Sequence, residues 1–338
     1  MRKQAILVTG GAGYIGSHVV RQLGEAGESI VVLDDLSKGF RQSVLYGDLI
    51  VGDIGDPTAL DAVFERYQIE SVMHFAAHTM VPESIVAPLK YYRNNACGSG
   101  MLLDWAVKAG VRHFVFSSTA AVYGKPDNGI ASEDNSPTAP VNPYGQSKLM
   151  TEWMLRDVAA VNPMRYVTLR YFNVAGSDPE ARIGQSTANA SLLIKVACEA
   201  AVGRREQVSI FGTDYPTPDG TGLRDYIHVE DIADAHLKAL AYLRAGGMST
   251  TLNCGYGHGY SVREVISTVE TVAGRSLDQV ESARRPDEPP ALIAETSKIR
   301  SILGWKPGYD DLETIVADSL RWERKLAAGG GTCAQSEE

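Results

Sequence analysis

The stretch TGGAGYIGSH, residues 9–18, spaces three glycines as Gly10-x-x-Gly13-x-x-Gly16. An apolar run, AILVTG (5–10), leads into it, and a helical pattern over roughly 14–26 follows. A strand that turns on glycine straight into a helix leaves the first helical N–H groups without partners, and the helix dipole adds partial positive charge there. Such a turn admits a close backbone approach and suits an anion. A glycine turn that merely packs a helix on a strand would read the same way, so the triplet needs support from elsewhere.

Asp34 gives that support at the end of the second apolar run, SIVVLDD (29–35). A carboxylate there accepts hydrogen bonds from adenine ribose hydroxyls and repels a 2′-phosphate. The expected ligand is therefore NAD rather than NADP, with its pyrophosphate over Gly10, Gly13 and Gly16. Asp53 and Ile54, after LIVGD (49–53), are expected near the adenine ring.

The first half alternates strand-like and helix-like segments. SVMHFAA (71–77), HFVFSST (113–119) and RYVTLRYF (165–172) continue the strand series. Helical patterns lie at roughly 14–26, 57–67, 88–109 and 144–160, with Pro57 and Pro88 at two of their starts, where a missing N–H costs little. Nearly continuous apolar strands are those of a parallel sheet buried on both faces. A TIM barrel also alternates, but the glycine turn favours the open sheet. The expected fold class is α/β: a Rossmann-type doubly wound parallel sheet with a smaller C-terminal substrate-binding subdomain.

The expected division is an NAD-binding domain at 1–175 that carries the catalytic residues, a substrate-binding subdomain at 176–325 with segments returning to the sheet, and a disordered tail at 326–338. After about 172 the texture changes. GSDPEARIGQSTAN and FGTDYPTPDGTGLRDY are long and polar, separated by helical segments at 191–202 and 229–244. Loops of that length are usually functional or mobile.

A formal net charge of −9 argues against a nucleic-acid partner. Cys97, Cys198, Cys254 and Cys333 show neither metal-ligand spacing nor a disulfide framework, so no metal is expected and a reducing compartment is. No apolar run is long enough for a bilayer and no signal segment precedes the first strand. The chain reads as cytoplasmic, with no membrane partner.

NPYGQSK (142–148) places Tyr144 one helical turn before Lys148, and Thr119 ends the strand HFVFSST. A hydroxyl at a strand's carboxyl end and a Tyr-x-x-x-Lys pair on the next helix can meet where a nicotinamide ring would lie. A tyrosine has an unperturbed pKa of about 10. The ammonium and a positive nicotinamide both favour the phenolate, so this pKa is expected to fall. An exposed Tyr–Lys pair on a helix is common; the glycine turn and Thr119 make these two candidate catalytic residues.

With the glycine turn, the hydroxyl-bearing strand end and Tyr144-x-x-x-Lys148 together, the chain resembles the extended short-chain dehydrogenase/reductases. Within them it is similar to the UDP-hexose 4-epimerase family. The closer match rests on GGAGYIGSH, SSTAAVYG, NPYGQSKLMTE, LRYFNVAGSDP and FGTDYPTPDGTGLRDYIHVEDIADAH, and runs to about residue 325. The resemblance implies a tightly bound NAD and a UDP-hexose substrate. Tyr144 would take the proton of the sugar 4-hydroxyl while hydride leaves C4, and the 4-keto sugar would turn and be reduced on its other face. Thr119 would hydrogen-bond the 4-oxygen, and Lys148 would tune Tyr144 and hold the cofactor.

The resemblance also places cofactor contacts at Tyr14, Ile15, Asp35, Phe75, Ala76, Ala77, Asn94, Ser117 and Phe172. It places UDP-sugar contacts at Asn173, Phe211, Arg224, Arg285, Glu288 and Leu292. A guanidinium fork suits a diphosphate. Two departures matter: ASLLIK stands where the family often has a polar Asn-Leu pair, and Leu292 stands where family members have a bulky tyrosine. The smaller side chain leaves room for an N-acetyl group. The family usually forms homodimers through two helices per subunit, here those near 88–109 and 144–160. The second carries Leu149, Met150, Trp153, Met154 and Val158.

Nucleotide-sugar 4,6-dehydratases share this pattern but need carboxylates directly after the threonine, where this chain has Ala120 and Ala121. A 4-epimerase of another UDP-sugar (UDP-N-acetylglucosamine, UDP-glucuronate or UDP-xylose) is the nearer alternative, because discrimination by a few apolar contacts is worth roughly 1–3 kcal/mol. A net dehydrogenase would accumulate NADH. A non-catalytic NAD-binding protein would not need both Tyr144 and Lys148.

Overall fold

The computed structural model describes residues 2–187, 190–285 and 288–329. Its centre is a seven-stranded, all-parallel sheet in the order Thr250–Cys254, Arg165–Tyr171, His113–Thr119, Tyr67–His74, Lys3–Thr9, Ile30–Asp34, Asp48–Val51. The chain order reverses beside Lys3–Thr9, which opens a crevice at the carboxyl ends of the strands on either side.

Alternation along each strand accounts for the double covering. Ile6, Val8, Ile30 and Val32 enter one core layer, and Ala5, Leu7, Val31 and Leu33 enter the other. The first layer is closed by the helices Tyr14–Glu25 and Val229–Arg244, through Val19, Val20, Leu23, Ile232, Ala239 and Leu243. The second is closed by Pro57–Arg66, Ser99–Lys108 and Pro143–Val161, through Leu60, Val63, Leu102, Leu103 and Leu155. Full burial of each such side chain is worth about 1.5–3 kcal/mol.

Several boundaries differ from the sequence reading. The fourth strand begins at Tyr67, because Lys3 and Gln4 pair with Tyr67 and Gln68 ahead of an irregularity at Ala5/Ile6, and it ends at His74 rather than 77. The helical run from 88 is not one α-helix. Pro88–Tyr91 and Ser99–Lys108 flank a π-helical stretch, Tyr92–Gly98. The seventh strand, Thr250–Cys254, pairs with Arg165–Tyr171 and did not register as a strand in the sequence, nor did Val81–Val86, Val262–Ala273, Ser297–Leu303 or Leu312–Ala327 as helices.

Short strands carry the late loops across the crevice. Asn173–Ala175 pairs with Tyr226–His228, and Val208–Phe211 with Gln279–Ser282. Leu223–Arg224 lies between Tyr260–Ser261 and Ala291–Ala294. The helices Leu193–Ala201, Val262–Ala273 and Leu312–Ala327 pack together beside them. The last helix runs to Ala327, inside the segment read as tail, and residues 330–338 lie outside the described residues. Among the described residues no helix is long and apolar enough to cross a membrane.

Candidate active site

Ten of the expected cofactor residues line one groove at the crevice: Gly10, Gly13, Asp34, Asp35, Asp53, Ile54, Phe75, Ala76, Ala77 and Asn94, around a space of about 540 Å³. Gly10 has φ +70, and a Cβ there would sit 2.5 Å from the Ala76 nitrogen. Gly13 caps the helix Tyr14–Glu25 with no side chain in the way, so the first helical N–H groups face the groove. Gly16 touches the turn itself, with Gly10 oxygen 2.3 Å from where a Cβ would be. The cradle fits a pyrophosphate.

Asp34 is held on both sides. Ala12 N–H donates to Oδ2 and Leu36 N–H to Oδ1, each at 2.9 Å. Burial pushes its carboxyl up from the usual range, and the two amides pull it back. Leu36 reaches this position with φ +59, an uncommon conformation outside glycine, so backbone strain is stored beside the expected ribose site. Ser37, Lys38, Gly39 and His78 also line the groove. The sequence did not single them out, although their place just after strand ends was a usable signal.

The remaining cofactor candidates lie outside this lining. The Tyr14 hydroxyl donates to Gly176 oxygen at 2.7 Å, and Ile15 packs on the core. Ser117 is buried and hydrogen-bonded to Tyr171. Phe172 packs with Leu149 and Leu292.

Tyr144 stands in the first turn of Pro143–Val161, which starts with proline and is capped by Asn142 accepting from Gly145 N–H at 2.9 Å. Thr119 accepts from Ala121 N–H at 3.1 Å and hydrogen-bonds Tyr144, a contact that favours the phenolate. Burial nevertheless outweighs it and pushes the Tyr144 phenol up, not down as the sequence suggested. Lys148, one turn further on, is also buried, 3% exposed, with its ammonium 4.6 Å above the Phe116 ring. Burial pushes Lys148 down to about 7, with Glu152 opposing.

Asn95, which the sequence reading passed over beside Asn94, ties the groove to the catalytic helix. Its Oδ1 accepts from His78 N–H at 2.8 Å, and its Nδ2 donates to Ser147 Oγ at 3.0 Å. The π-helical stretch seats this side chain, and such irregular turns are frequent at functional sites.

The expected substrate residues gather along 223–228 and its neighbours. Arg224 pairs in register with Leu292, and Asn173 with Tyr226. Arg224 Nη2 donates to Glu288 at 2.9 Å. Arg285 lies 4.1 Å over the Phe211 ring, and Arg284 lies 4.3 Å over Tyr215 while pairing with Asp214. Asn173 and Tyr226 also line a second, smaller hollow with Gln185, Leu193 and Lys195. Arg224 with Glu288 and Arg285 on Phe211 thus lie on the late segments, while Thr119 meets Tyr144 one turn before Lys148, on the helix that Asn95 ties to the dinucleotide groove.

Residues 6–255 match the model of the NAD dependent epimerase/dehydratase family. A UDP-glucose 4-epimerase of Azospirillum brasilense is 53% identical over 98% of this chain and 97% of its own. A crystal structure of UDP-glucose 4-epimerase from Brucella ovis in complex with NAD is 40% identical, with a TM-score of 0.90, covering 95% of this chain and 98% of that one. The UDP-Glc/GlcNAc 4-epimerase from Campylobacter jejuni is 46% identical with a TM-score of 0.84, over 95% of this chain and 99% of that one.

Proposed function

The chain belongs to the NAD dependent epimerase/dehydratase family, and from that premise we propose that it interconverts UDP-galactose and UDP-glucose at carbon 4 as an NAD-dependent isomerase. The observation that carries this reading is Thr119 hydrogen-bonded to Tyr144, one turn from buried Lys148 and beside the groove built on Gly10 and Asp34. Bound NAD, held at the glycine cradle and Asp34, supplies the acceptor and donor of hydride. Tyr144 takes the proton of the sugar 4-hydroxyl and returns it, while Thr119 holds the 4-oxygen. Arg224, Arg285 and Glu288 hold the UDP, so that the hexose stays free to present both faces. Ala120 and Ala121 directly after Thr119 leave no carboxylate there to eliminate water.

Incubation of the purified protein with UDP-galactose, without added cofactor, tests the reading. Conversion to an equilibrium mixture with UDP-glucose and no release of NADH is expected. Steady NADH accumulation, or no conversion with added NAD⁺, would refute it.

Leu292 beside Arg224 favours a second substrate class, UDP-N-acetylhexosamines. The Campylobacter jejuni relative is a UDP-Glc/GlcNAc 4-epimerase. Homodimer formation is part of the proposal, and the faces of the two helices expected to pair support it: Leu89 is 71% exposed and Trp153 48%, with Met150 beside it. Free Cys97, Cys198 and Cys254 suit a reducing compartment such as the cytoplasm.

A further inference from the structure

Resting on the reading of Tyr144 and Lys148 as the proton-handling pair, we propose that Glu152 and Arg170 are positioning residues that set the charge of Lys148 and so the pH range in which Tyr144 works. Glu152 follows Lys148 by one helical turn and is 7% exposed. Arg170, on the strand Arg165–Tyr171, grips it with both arms: Nε donates to Oε1 at 3.0 Å and Nη2 to Oε2 at 2.5 Å. Ser118, the residue before Thr119, donates its hydroxyl to the same carboxylate. Arg170 in turn lies 4.7 Å over the Tyr123 ring, whose hydroxyl donates to Asn253 at 2.7 Å.

The groups facing Lys148 leave Glu152 as its regulator. On its own helix these are Tyr144 and Glu152. Phe116, from the strand that carries Thr119, offers a ring face. From Tyr67–His74 comes His74, wedged between Thr9 and Ser99 and pushed down to about 3 by burial, hence neutral. From Arg165–Tyr171 come Arg170 and Tyr171, the latter acting on Tyr144 and kept protonated by burial. Glu152 is the one carboxylate among the described residues that acts on Lys148.

A buried ion pair adds little stability over apolar residues of equal volume, so stability alone does not account for one placed a turn from a buried lysine. Locked to Arg170, Glu152 offers Lys148 a partly cancelled negative charge. Burial lowers Lys148 and Glu152 opposes that shift, so the Arg170 lock on Glu152 sets how far the lysine stays charged.

Opposite changes to the two partners therefore have opposite effects. In Glu152→Gln the Arg170 charge is left uncancelled, Lys148 loses its proton earlier and the Tyr144 phenolate, deprived of the ammonium, forms later. The pH profile of kcat moves up by about one unit, the order expected of a unit charge one helical turn away. In Arg170→Gln the Glu152 charge is left bare, Lys148 keeps its proton longer, and the profile moves down by about as much. The double variant Glu152→Gln/Arg170→Gln restores a profile near that of the parent. The test is kcat against pH on NAD-loaded protein with saturating UDP-galactose. Opposite shifts with rescue in the double variant are the expected result. Shifts in the same direction, or lower activity with an unmoved profile, would overturn the proposal.

Where a single variant does not fold, Ser118→Ala and the double variant carry the test. Loss of the Ser118 donor bares Glu152 slightly and moves the profile down by a few tenths of a unit, and a superimposable curve would overturn the proposal. Tyr144→Phe, run alongside, separates the two levels. If it keeps activity, the reading of the proton-handling pair fails. If it is inactive while the other profiles coincide with the parent's, only the role of Glu152 and Arg170 fails.

Discussion

Gly13 and Gly16 stand one helical turn apart in the same motif, yet the structure assigns them different reasons for being glycine. A Cβ on Gly16 would lie 2.3 Å from the Gly10 oxygen and 2.9 Å from the Gly11 Cα. Both are backbone atoms, so no rotamer change relieves the overlap, and the helix must retreat from the turn by about 1 Å to regain normal contact. Overpacking of this kind costs up to about 3 kcal/mol, and alanine's helix preference over glycine returns about 1. Gly16→Ala should therefore destabilise the protein by about 2 kcal/mol and also move the N–H groups that face the groove. Gly13 is different. Its φ of −77 and ψ of 176 are open to any residue, and a Cβ would meet only the Gly10 oxygen, at 3.2 Å. Alanine for glycine at a cap costs less than about 1 kcal/mol. The methyl, however, would stand at the helix N-terminus where the pyrophosphate is expected. Loss of one charge-assisted hydrogen bond, worth about 1.5–3 kcal/mol, weakens NAD roughly 10- to 100-fold. Urea midpoints together with NAD released from the purified protein separate the two effects. A Gly16→Ala protein as stable and as NAD-loaded as the parent would refute the close-approach argument. A Gly13→Ala protein that keeps its NAD would refute the placement of the anion.

The other predictions concern the chemistry and the surfaces. Tyr144→Phe should lower kcat by about 10³-fold, within the range for loss of a general acid–base group, while bound NAD stays unchanged. Arg224→Lys should raise KM for UDP-galactose about tenfold or more, because an ammonium cannot reproduce the planar fork that Arg224 presents. Leu292→Tyr should abolish turnover of UDP-N-acetylglucosamine while UDP-galactose is still converted; equal loss of both would sink the idea that Leu292 sets the room beside the sugar. Trp153→Glu should give monomers by light scattering, and a dimer that persists would place the interface elsewhere.

The layered sheet was legible because its strands are apolar on both faces: Ile6 and Val8 enter one layer and Ala5 and Leu7 the other, so every residue of the run carries the same signal. Thr250–Cys254 carried no such signal. TTLNC is short and half polar, and it becomes a strand only by pairing with Arg165–Tyr171. The helix Val262–Ala273 was missed for a lesser reason. Ser261 and Glu264 form a capping box, and S-x-x-E ahead of apolar residues is a readable start. Within the site, the groups on strand ends and helix starts could be read locally, since the motif carries its own geometry. The rise of the Tyr144 pKa could not, because spacing reports neighbours and not the burial that outweighs them. Nor could the Glu152–Arg170 pair, which joins a helix to a strand 18 residues away.

The two halves of the crevice are held in different ways, and the difference matters for the reaction. On the cofactor side the fixing donors are backbone amides: Gly10 N–H to the Leu33 carbonyl, Phe75 N–H to the Thr9 carbonyl, and Ala12 and Leu36 N–H to the Asp34 carboxylate. Their acceptors, Thr9, Leu33 and Asp34, belong to sheet strands, so these contacts cannot shift without disturbing strands buried on both faces. On the substrate side they are side-chain pairs, Arg224 with Glu288, Arg284 with Asp214, and Arg285 on Phe211. On the proposed reading, a diphosphate that takes up Arg224 would compete with Glu288, exchanging one ionic partner for another and leaving the fold intact. An isomerase that reverses one carbon needs that asymmetry. Rigidity therefore belongs on the sheet edge whose residues would hold the cofactor, and adjustability on the late loops whose side chains would hold the sugar nucleotide.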